Sequence, residues 1–598
     1  MEEQCSKCEE SFRRGNSKTL YDTVKKISKE RVNCTAVVRD QTGVKVSETE
    51  KVRDIWKAHF EDVLRGGGVE ASELEYPELH RREPNTLETP CILETEIHRA
   101  VGGLAAGKAP GTDEVPGELL RVGGNAVERW LQKICQAVMD GEEPPEDWRE
   151  AIIIPIHKKG DSTNCGNYRP ISLLSHSYKV MAKVLQQRMK ILEEEILTEE
   201  QAGFRTGRGT VDHIFTFGQI AEKMWEKGRD IYCVFIDFKQ AFDTVWREAM
   251  GEVLVQLGFD QGITGAIRRI YQNTRARVRK GEITTDKFET TGGVIQGCPL
   301  SPHLFNLFLE WIVARALRDY QGGVEIGGIK ITNLRYADDI VFLSESREDL
   351  QWMMDRLEEQ CARYQMVINV DKTKSMKIGR QEEQLHISLR GGVIEQVDEF
   401  KYLGVYFSSK GGTERSIRER IAMGHRAFGR LKNVWKDRNI STTLKIRLLR
   451  AIVVPAALYG AECWVLRKGD ERRLLAFEMK CVRRICRVRW EDRLTNERVR
   501  EMAGLEDTIV DIVRDGQRRW FGHVTRMNQD RWPNVTLNGR VHGSRPRGRP
   551  RFSWMKMFVK ANCGVPVRQL VHLASDRGDW RRWRHWTWDP TWRPPDGI

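Results

Sequence analysis

The chain has 598 residues, 40% of them apolar and 31% charged, with a formal net charge of +13. That length is ample for several cores, the balance is that of folded rather than disordered chains, and the positive excess favours a polyanionic partner. The 13 cysteines are odd in number and scattered, no signal peptide opens the chain and no apolar run is long enough to span a bilayer, so free thiols in the nucleus, the cytoplasm or both are expected, not secretion.

Residues 1–95 are polar and charged and read as an N-terminal helical or linker region. Cys5-x-x-Cys8 lacks a second pair at zinc spacing. Val52, Ile55, Trp56, His59, Phe60 and Val63 recur at helical spacing, which predicts a helix over 52–64, ended by Gly66-Gly67-Gly68. Residues 102–108 read G-x-x-x-x-G-K, but Ala109 has no hydroxyl for Mg²⁺ and no strand precedes the loop, which excludes an NTPase. Residues 151–156 read as a strand, and the loop beyond holds His157, Lys158, Lys159 and Gly160, then Asn167-Tyr168-Arg169-Pro170. Cations on a hairpin tip can clamp a triphosphate by charge and by bidentate Arg geometry; a solvated loop is the plainer use. Gln201-Ala202-Gly203-Phe204-Arg205 leads into a helical run to about Lys227.

Ile231-Tyr232-Cys233-Val234-Phe235-Ile236 is a continuous apolar run ending in Asp237, the pattern of a buried strand. Leu334-Arg335-Tyr336-Ala337-Asp338-Asp339-Ile340-Val341-Phe342-Leu343 reads as strand, tight turn, strand. Asp is a favoured turn residue, but two ionised carboxylates in apolar surroundings are costly unless they hold a cation. If the two segments pair, three carboxylates converge, as a two-Mg²⁺ phosphoryl-transfer site requires. The glycine-rich stretch Gly292-Gly293-Val294-Ile295-Gln296-Gly297-Cys298-Pro299 opens a helix over 302–317. A second helix over 346–364 buries Leu350, Met353, Met354, Leu357, Cys361 and Tyr364, with Ser346 and Asp349 as a capping-box pair.

Phe235-Ile236-Asp237-Phe238-Lys239-Gln240-Ala241-Phe242-Asp243 resembles the first catalytic motif of reverse transcriptases, and Tyr336-Ala337-Asp338-Asp339 the second. The wording is most similar to the non-LTR (LINE-type) retrotransposon enzymes, and the resemblance runs from about Glu96 to Ser408. It implies an α+β right-hand polymerase fold. The fingers would span 96–230 (reverse transcriptase domain from about 140), the palm 231–410 (domain to about 408), a thumb-like helical region 411–500 and a basic Trp/Arg-rich region 501–598. The implied activity is RNA-directed DNA synthesis on a primer 3′-hydroxyl. The implied partners are an RNA template, a DNA primer or target, and dNTPs; the implied cofactor is Mg²⁺ as two ions, with Mn²⁺ as a substitute. An endonuclease domain commonly precedes this region in the family, and too little chain stands here for one, so a nick or primer from elsewhere is expected.

Carried over by position, Asp237 and Asp338 hold the metals and Asp339 supports them, while Asp243 is structural. Lys159 and Arg169, with Lys158 close behind, face the triphosphate; Gln296 and Gly297 touch the nucleotide, and Phe242 crowds a ribose 2′-hydroxyl or is a core aromatic. Lys372 protonates the departing pyrophosphate, or is an exposed turn lysine. Tyr402, Leu403 and Gly404 belong to the primer-grip hairpin, and Gly203 and Arg205 suit a backbone beside the template. Lys108 to Asp113 resembles a segment upstream of the fingers. Further on, Ile417, Ile421, Gly424, Phe428, Leu431 and Trp435 mark a helix face, with Arg415, Arg418, Arg420, Arg430 and Lys432 off the stripe. Cys481 and Cys486 read as packing residues. Pro546-Arg547-Gly548-Arg549-Pro550 resembles an AT-hook core, with Arg547 and Arg549 for a minor groove, or is a basic linker. Trp580, Trp583, Trp586, Trp588 and Trp592 stack on bases, pack a small domain or lie disordered. Two other readings are open: a catalytically inactive or host-adopted nucleic-acid-binding protein of the same fold, and an intron-type reverse transcriptase and maturase.

Overall fold

The apolar run Ile231–Ile236 is a strand at the centre of a four-stranded sheet in the computed structural model, which describes residues 37–40, 42–66, 90–547 and 553–586. The order is Asn333–Tyr336, Asp339–Ser344, Ile231–Ile236, Lys374–Ile378, each strand antiparallel to its neighbour. Side chains alternate across a strand. Val234, Ile236, Ile340 and Phe342 therefore join one core, shared with helices His176–Ile196, Ser301–Ala316 and Arg347–Arg363. Ile231, Cys233, Phe235, Val341 and Leu343 join the other, under helix Thr210–Lys227 and the hairpin Glu399–Tyr402/Val405–Ser408. A sheet covered on both faces is why its strands read as unbroken apolar runs.

The two helices expected over 302–317 and 346–364 form as Ser301–Ala316 and Arg347–Arg363, and the six residues expected inside the second are buried. Its cap is only half of the expected pair. Ser346 Oγ accepts from the Asp349 N–H (3.1 Å), but the Ser346 N–H donates to Ser344 Oγ (3.1 Å) and Asp349 accepts from the Tyr320 hydroxyl (3.4 Å).

A second sheet joins Tyr168–Leu173, Glu150–His157, Thr274–Lys280 and Ile283–Thr284, with Phe288–Thr290 also paired to Thr274–Lys280. Helix Thr49–Val63 covers it with Val52, Trp56 and Phe60. These contacts cross the expected divisions. The 274–290 strands fall in the span read as palm, yet they complete the sheet of 150–173. Helix Thr210–Lys227, read as fingers, roofs the carboxylate-bearing sheet.

Helices from Glu414–Arg430 to Ile509–Thr525 build a further core, so the helical region runs past residue 500. The Ile417, Gly424, Phe428, Leu431 and Trp435 face is buried as expected, Ile421 is half-buried, and Arg420 is buried rather than off the stripe. Cys481 is buried and Cys486 half-buried, as packing residues. The described part of 501–598 is packed, not a loose extension. Trp520, Phe521, Trp554, Phe558, Trp580 and Trp583 form a core with Phe215 of helix Thr210–Lys227. Trp580 and Trp583 stack on each other, and Trp580 Nε1 donates to the Arg518 carbonyl (3.0 Å), so of the alternatives for these two rings the packing one holds. Trp532, Val535 and Val541 reach the outer face of the central sheet. Arg531 fastens this segment by ion pairs with Asp212 (2.6 Å) and Glu199 (2.8 Å). Trp588, Trp592, the Trp586 side chain, Cys5 and Cys8 lie outside the described residues. No described helix is long and apolar enough to cross a membrane.

Candidate active site

Tyr336 pairs with Asp339, so the 333–344 hairpin turns through Ala337 and Asp338 alone. Ala337 has φ +57°; positive φ at the first position of a two-residue loop suits the twist of the strands it joins. Ile340 pairs with Ile236, which sets Asp339 opposite Asp237 one step further along. Cross-strand neighbours of this kind lie ~5 Å apart. Backbone bonds fix Asp237: its N–H donates to Thr373 Oγ1 (3.3 Å) and its carbonyl accepts from the Asn369 N–H (2.7 Å).

The three carboxyls feel one another. Burial and then the Asp237 charge raise Asp338 above the ordinary carboxylate range, against Arg169 and Lys158. Burial, then the like charges of Asp338 and Asp237, push Asp339 up to about 6. Asp339 is nonetheless exposed by surface area, so the like charges are the part that bears on cation binding. Asp237 Oδ2 has no hydrogen-bond donor; Lys372 Nζ stands 3.2 Å away as an ion pair, with its side chain 63% exposed. Among the described residues no three His, Cys, Asp or Glu side chains enclose a cation by themselves. Mg²⁺ does not need such a cage, since it is commonly held by one or two carboxylates with its other positions left to water and phosphates. Mutually repelling carboxyls, with an exposed lysine as the ion-pair partner of Asp237, fit that ion.

Arg169 is within electrostatic reach of Asp338 and Asp339, and Lys158 within reach of Asp237 and Asp243. Lys158, named second at the sequence level, is thus the lysine drawn to the carboxylates; it and Lys159 both lie in the loop beyond strand Glu150–His157. Gln296 Nε2 donates to Asp243 Oδ1 (2.7 Å), and its carbonyl accepts from the Ser172 N–H (2.7 Å). At Gly297, φ is +121° and a Cβ would stand 2.5 Å from the Ser172 carbonyl oxygen, so only glycine fits between the two loops. Phe242 stacks on Phe305 at 4.3 Å, which makes it a core ring with one side half-open. Cys298 is buried against the Tyr178 hydroxyl.

Burial pushes the Asp243 carboxyl up to about 7, against Gln296, Lys158 and Arg169. A folded value above the unfolded one means that stabilisation is complete below about pH 4 and is lost as pH rises through about 7. Asp243→Asn is expected to remove this slope. In urea titrations at about pH 5.5 and 8, the wild-type midpoint should fall with pH more than that of the variant.

The 399–408 hairpin turns through Leu403 (φ +45°) and Gly404 (φ +83°). Tyr402 is buried and donates its hydroxyl to the Leu334 carbonyl (3.3 Å), which ties this hairpin to the carboxylate hairpin. Tyr459 donates to the Leu403 carbonyl (3.1 Å), and Arg420 donates to the Gly404 carbonyl while lying 4.3 Å over the Tyr459 ring. Arg205 does not face an open template path: it is 7% exposed, paired with Glu194 (2.8 Å) and bonded to the Thr198 and Gln201 carbonyls. Arg547 is exposed and Arg549 lies outside the described residues. The sequence reading missed Gln201, which sits against the Ala337 turn, and the buried Arg335–Glu310 pair behind it (3.0 Å). A Gln two residues before a glycine and an Arg inside a strand are weak signals alone.

The family model described as reverse transcriptase (RNA-dependent DNA polymerase) matches residues 156–407, the span that holds all of these groups except those of the helical and C-terminal regions. The chain carries a reverse transcriptase domain. The relatives it matches are proteins of transposons and retrotransposable elements. The chain is 27% identical to a probable RNA-directed DNA polymerase from transposon BS of Drosophila melanogaster, over 68% of this chain and 47% of that protein. It is 24% identical to the RNA-directed DNA polymerase from mobile element jockey of the same fly, over 72% and 48%. It is 26% identical to the retrovirus-related Pol polyprotein from type-1 retrotransposable element R2 of Popillia japonica, over 62% and 51%. The chain thus spans about half the length of these relatives. Among solved structures, telomerase from Candida tropicalis in complex with a fragment of telomeric RNA aligns with a TM-score of 0.35 and 13% identity, over 71% of this chain and 68% of that one.

Proposed function

We propose that this chain is an RNA-directed DNA polymerase of a non-LTR retrotransposon, extending a primer 3′-hydroxyl with dNTPs on an RNA template. The observation that carries this reading is the convergence of Asp237, Asp338 and Asp339 opposite Arg169 and Lys158. The four-stranded sheet is the palm, the sheet of 150–173 and 274–290 the fingers, and the helices from Glu414–Arg430 onward the thumb. Asp237 and Asp338 hold two divalent cations with Asp339 beside them. Bound there, Mg²⁺ supplies a lowered pKa for the attacking hydroxyl and charge stabilisation for the leaving oxygen. The hydroxyl oxygen bonds to the α-phosphorus as the bond to the β-phosphate oxygen breaks, and pyrophosphate leaves.

The chain's own groups set the geometry of that step. Lys158 and Arg169 bind the triphosphate oxygens. Gln296, held by Asp243, and Gly297 form the wall against the base and sugar, and Phe242, braced by Phe305, occupies the space a 2′-hydroxyl would need. Tyr402, Leu403 and Gly404 set the primer end, and Lys372, tethered at Asp237, gives its proton to pyrophosphate. The deciding assay is dTTP incorporation on a poly(rA) template with an oligo(dT) primer and Mg²⁺; no incorporation by the wild type would leave a nucleic-acid-binding protein of the same fold. Lys158→Ala and Arg169→Ala are each expected to raise the KM for dTTP about tenfold, the loss of one charge-assisted contact of ~1.4 kcal/mol. Lys159→Ala should stay within about twofold. Equal effects for both lysines would refute the assignment of Lys158.

A further inference from the structure

Gln201 and Ala337 are 136 positions apart in sequence and in contact in the fold. Gln201 is fully buried, and its Oε1 accepts from two backbone N–H groups, those of Ala337 (3.0 Å) and Gly203 (2.8 Å). The loop around it is fixed on both sides. The Ala202 N–H donates to the Arg335 carbonyl (2.9 Å), and the Arg335 N–H donates to the Glu200 carbonyl (2.7 Å). Asn306 Nδ2 donates to the Gly203 carbonyl (2.8 Å) from helix Ser301–Ala316. Gly203 lies so close that a Cβ there would stand 2.5 Å from the Ala337 nitrogen.

Two costs are carried at this spot. Ala337 holds a left-handed φ, a conformation costly for a residue with a Cβ and persisting only where surroundings enforce it. Gln201 Nε2 is buried with no hydrogen-bond partner, itself a cost against folding. An apolar side chain of equal size would spare that amide nitrogen but leave two N–H groups without an acceptor. The amide is therefore oriented by what its oxygen does, and its oxygen holds the peptide that leads into Asp338.

We infer that Gln201 is a positioning residue for the carboxylate pair: by gripping the Ala337 N–H, it sets the direction in which Asp338 and Asp339 face a divalent cation. The polymerase reading enters only through the activity arm of the test; the cation-binding arm is independent of it. The test uses the full chain and follows Mn²⁺ binding by the loss of the free-ion EPR signal, with a thermal melt of each variant. Gln201→Met is expected to weaken Mn²⁺ binding about tenfold, within the range for residues that orient metal ligands. Gly203→Ala, which pushes the same turn by bulk, should do the same. Gln201→Glu keeps an acceptor oxygen in place and should stay within about threefold of wild type. In primer extension, the Mg²⁺ concentration for half-maximal rate should rise with the loss of Mn²⁺ affinity, while the KM for dTTP moves less than about twofold. Wild-type Mn²⁺ affinity in folded Gln201→Met, or in Gly203→Ala where the first does not fold, overturns the inference, as does a tenfold loss in Gln201→Glu. A wild type that extends no primer, with Mn²⁺ binding still weakened in Gln201→Met, sinks the polymerase reading and leaves the positioning role standing.

Discussion

Asp338→Ala is expected to abolish primer extension while leaving the fold intact, the largest effect expected of any single substitution. Cation-mediated charge stabilisation at a phosphoryl-transfer centre is worth several kcal/mol, so losing one holder should cost about 10³-fold or more in kcat. Stability should move the other way. Asp338 is raised above the ordinary carboxylate range by burial and by Asp237, so its ionised form is held against local repulsion. Removing that charge relieves Asp237 and Asp339, and the melting temperature without divalent cations should be equal or higher. A structural carboxylate would show the opposite pair of results, a colder melt with activity preserved. Extension at more than about 1% of the wild-type rate, in a variant confirmed folded by its melt, removes the proposed role.

Arg335→Ala should be the most destabilising substitution near the site. Arg335 is 2% exposed, and its Nη2 donates to both oxygens of Glu310 (3.0 and 3.1 Å) and to Thr198 Oγ1 (2.8 Å). Taking one partner from a buried ion pair leaves the other charge without compensation, a loss of ~3–5 kcal/mol. Replacing both, as Arg335→Met with Glu310→Leu, should recover most or all of it. Urea unfolding of the two singles and the double closes the cycle. A double variant as unstable as the sum of the singles would show that the pair is not a coupled unit.

The carboxylate strands were legible because their signals are local. An apolar run ending in Asp237 and a ten-residue strand-turn-strand with Asp338 and Asp339 at its tip already define a buried antiparallel pair, and the register Ile340 to Ile236 bears that out. The helix faces of 346–364 and 417–435 were legible for the same reason, since side-chain period is written within each segment. What stayed hidden is what distant segments do to each other. Nothing in 274–290 shows that it completes a sheet begun at 150, because its pairing partner is set by tertiary packing. Lys158 and Lys159 are neighbouring loop lysines, alike in sequence, and it is the tertiary surroundings that set Lys158 near Asp237 and Asp243. Arg205 read as a cation for a polyanion until Glu194 and two carbonyls were found around it. The tryptophans of the last hundred residues have no periodic signature that separates a stacking surface from a core.

The outer face of the central sheet is closed by Trp532, Val535 and Val541, with Lys223 donating to the Leu537 and Gly539 carbonyls and the Gly327 N–H donating to the Arg540 carbonyl. This has a consequence for biosynthesis. The hairpin ending at Ser344 leaves the ribosome roughly 190 residues before its cover begins at Trp532. Throughout that interval the nascent chain displays part of an apolar sheet face to the cell, a surface that invites chaperones and aggregation. Ribosome stalling or a stop codon in this window should therefore yield insoluble product, although every carboxylate of the pocket has already been made.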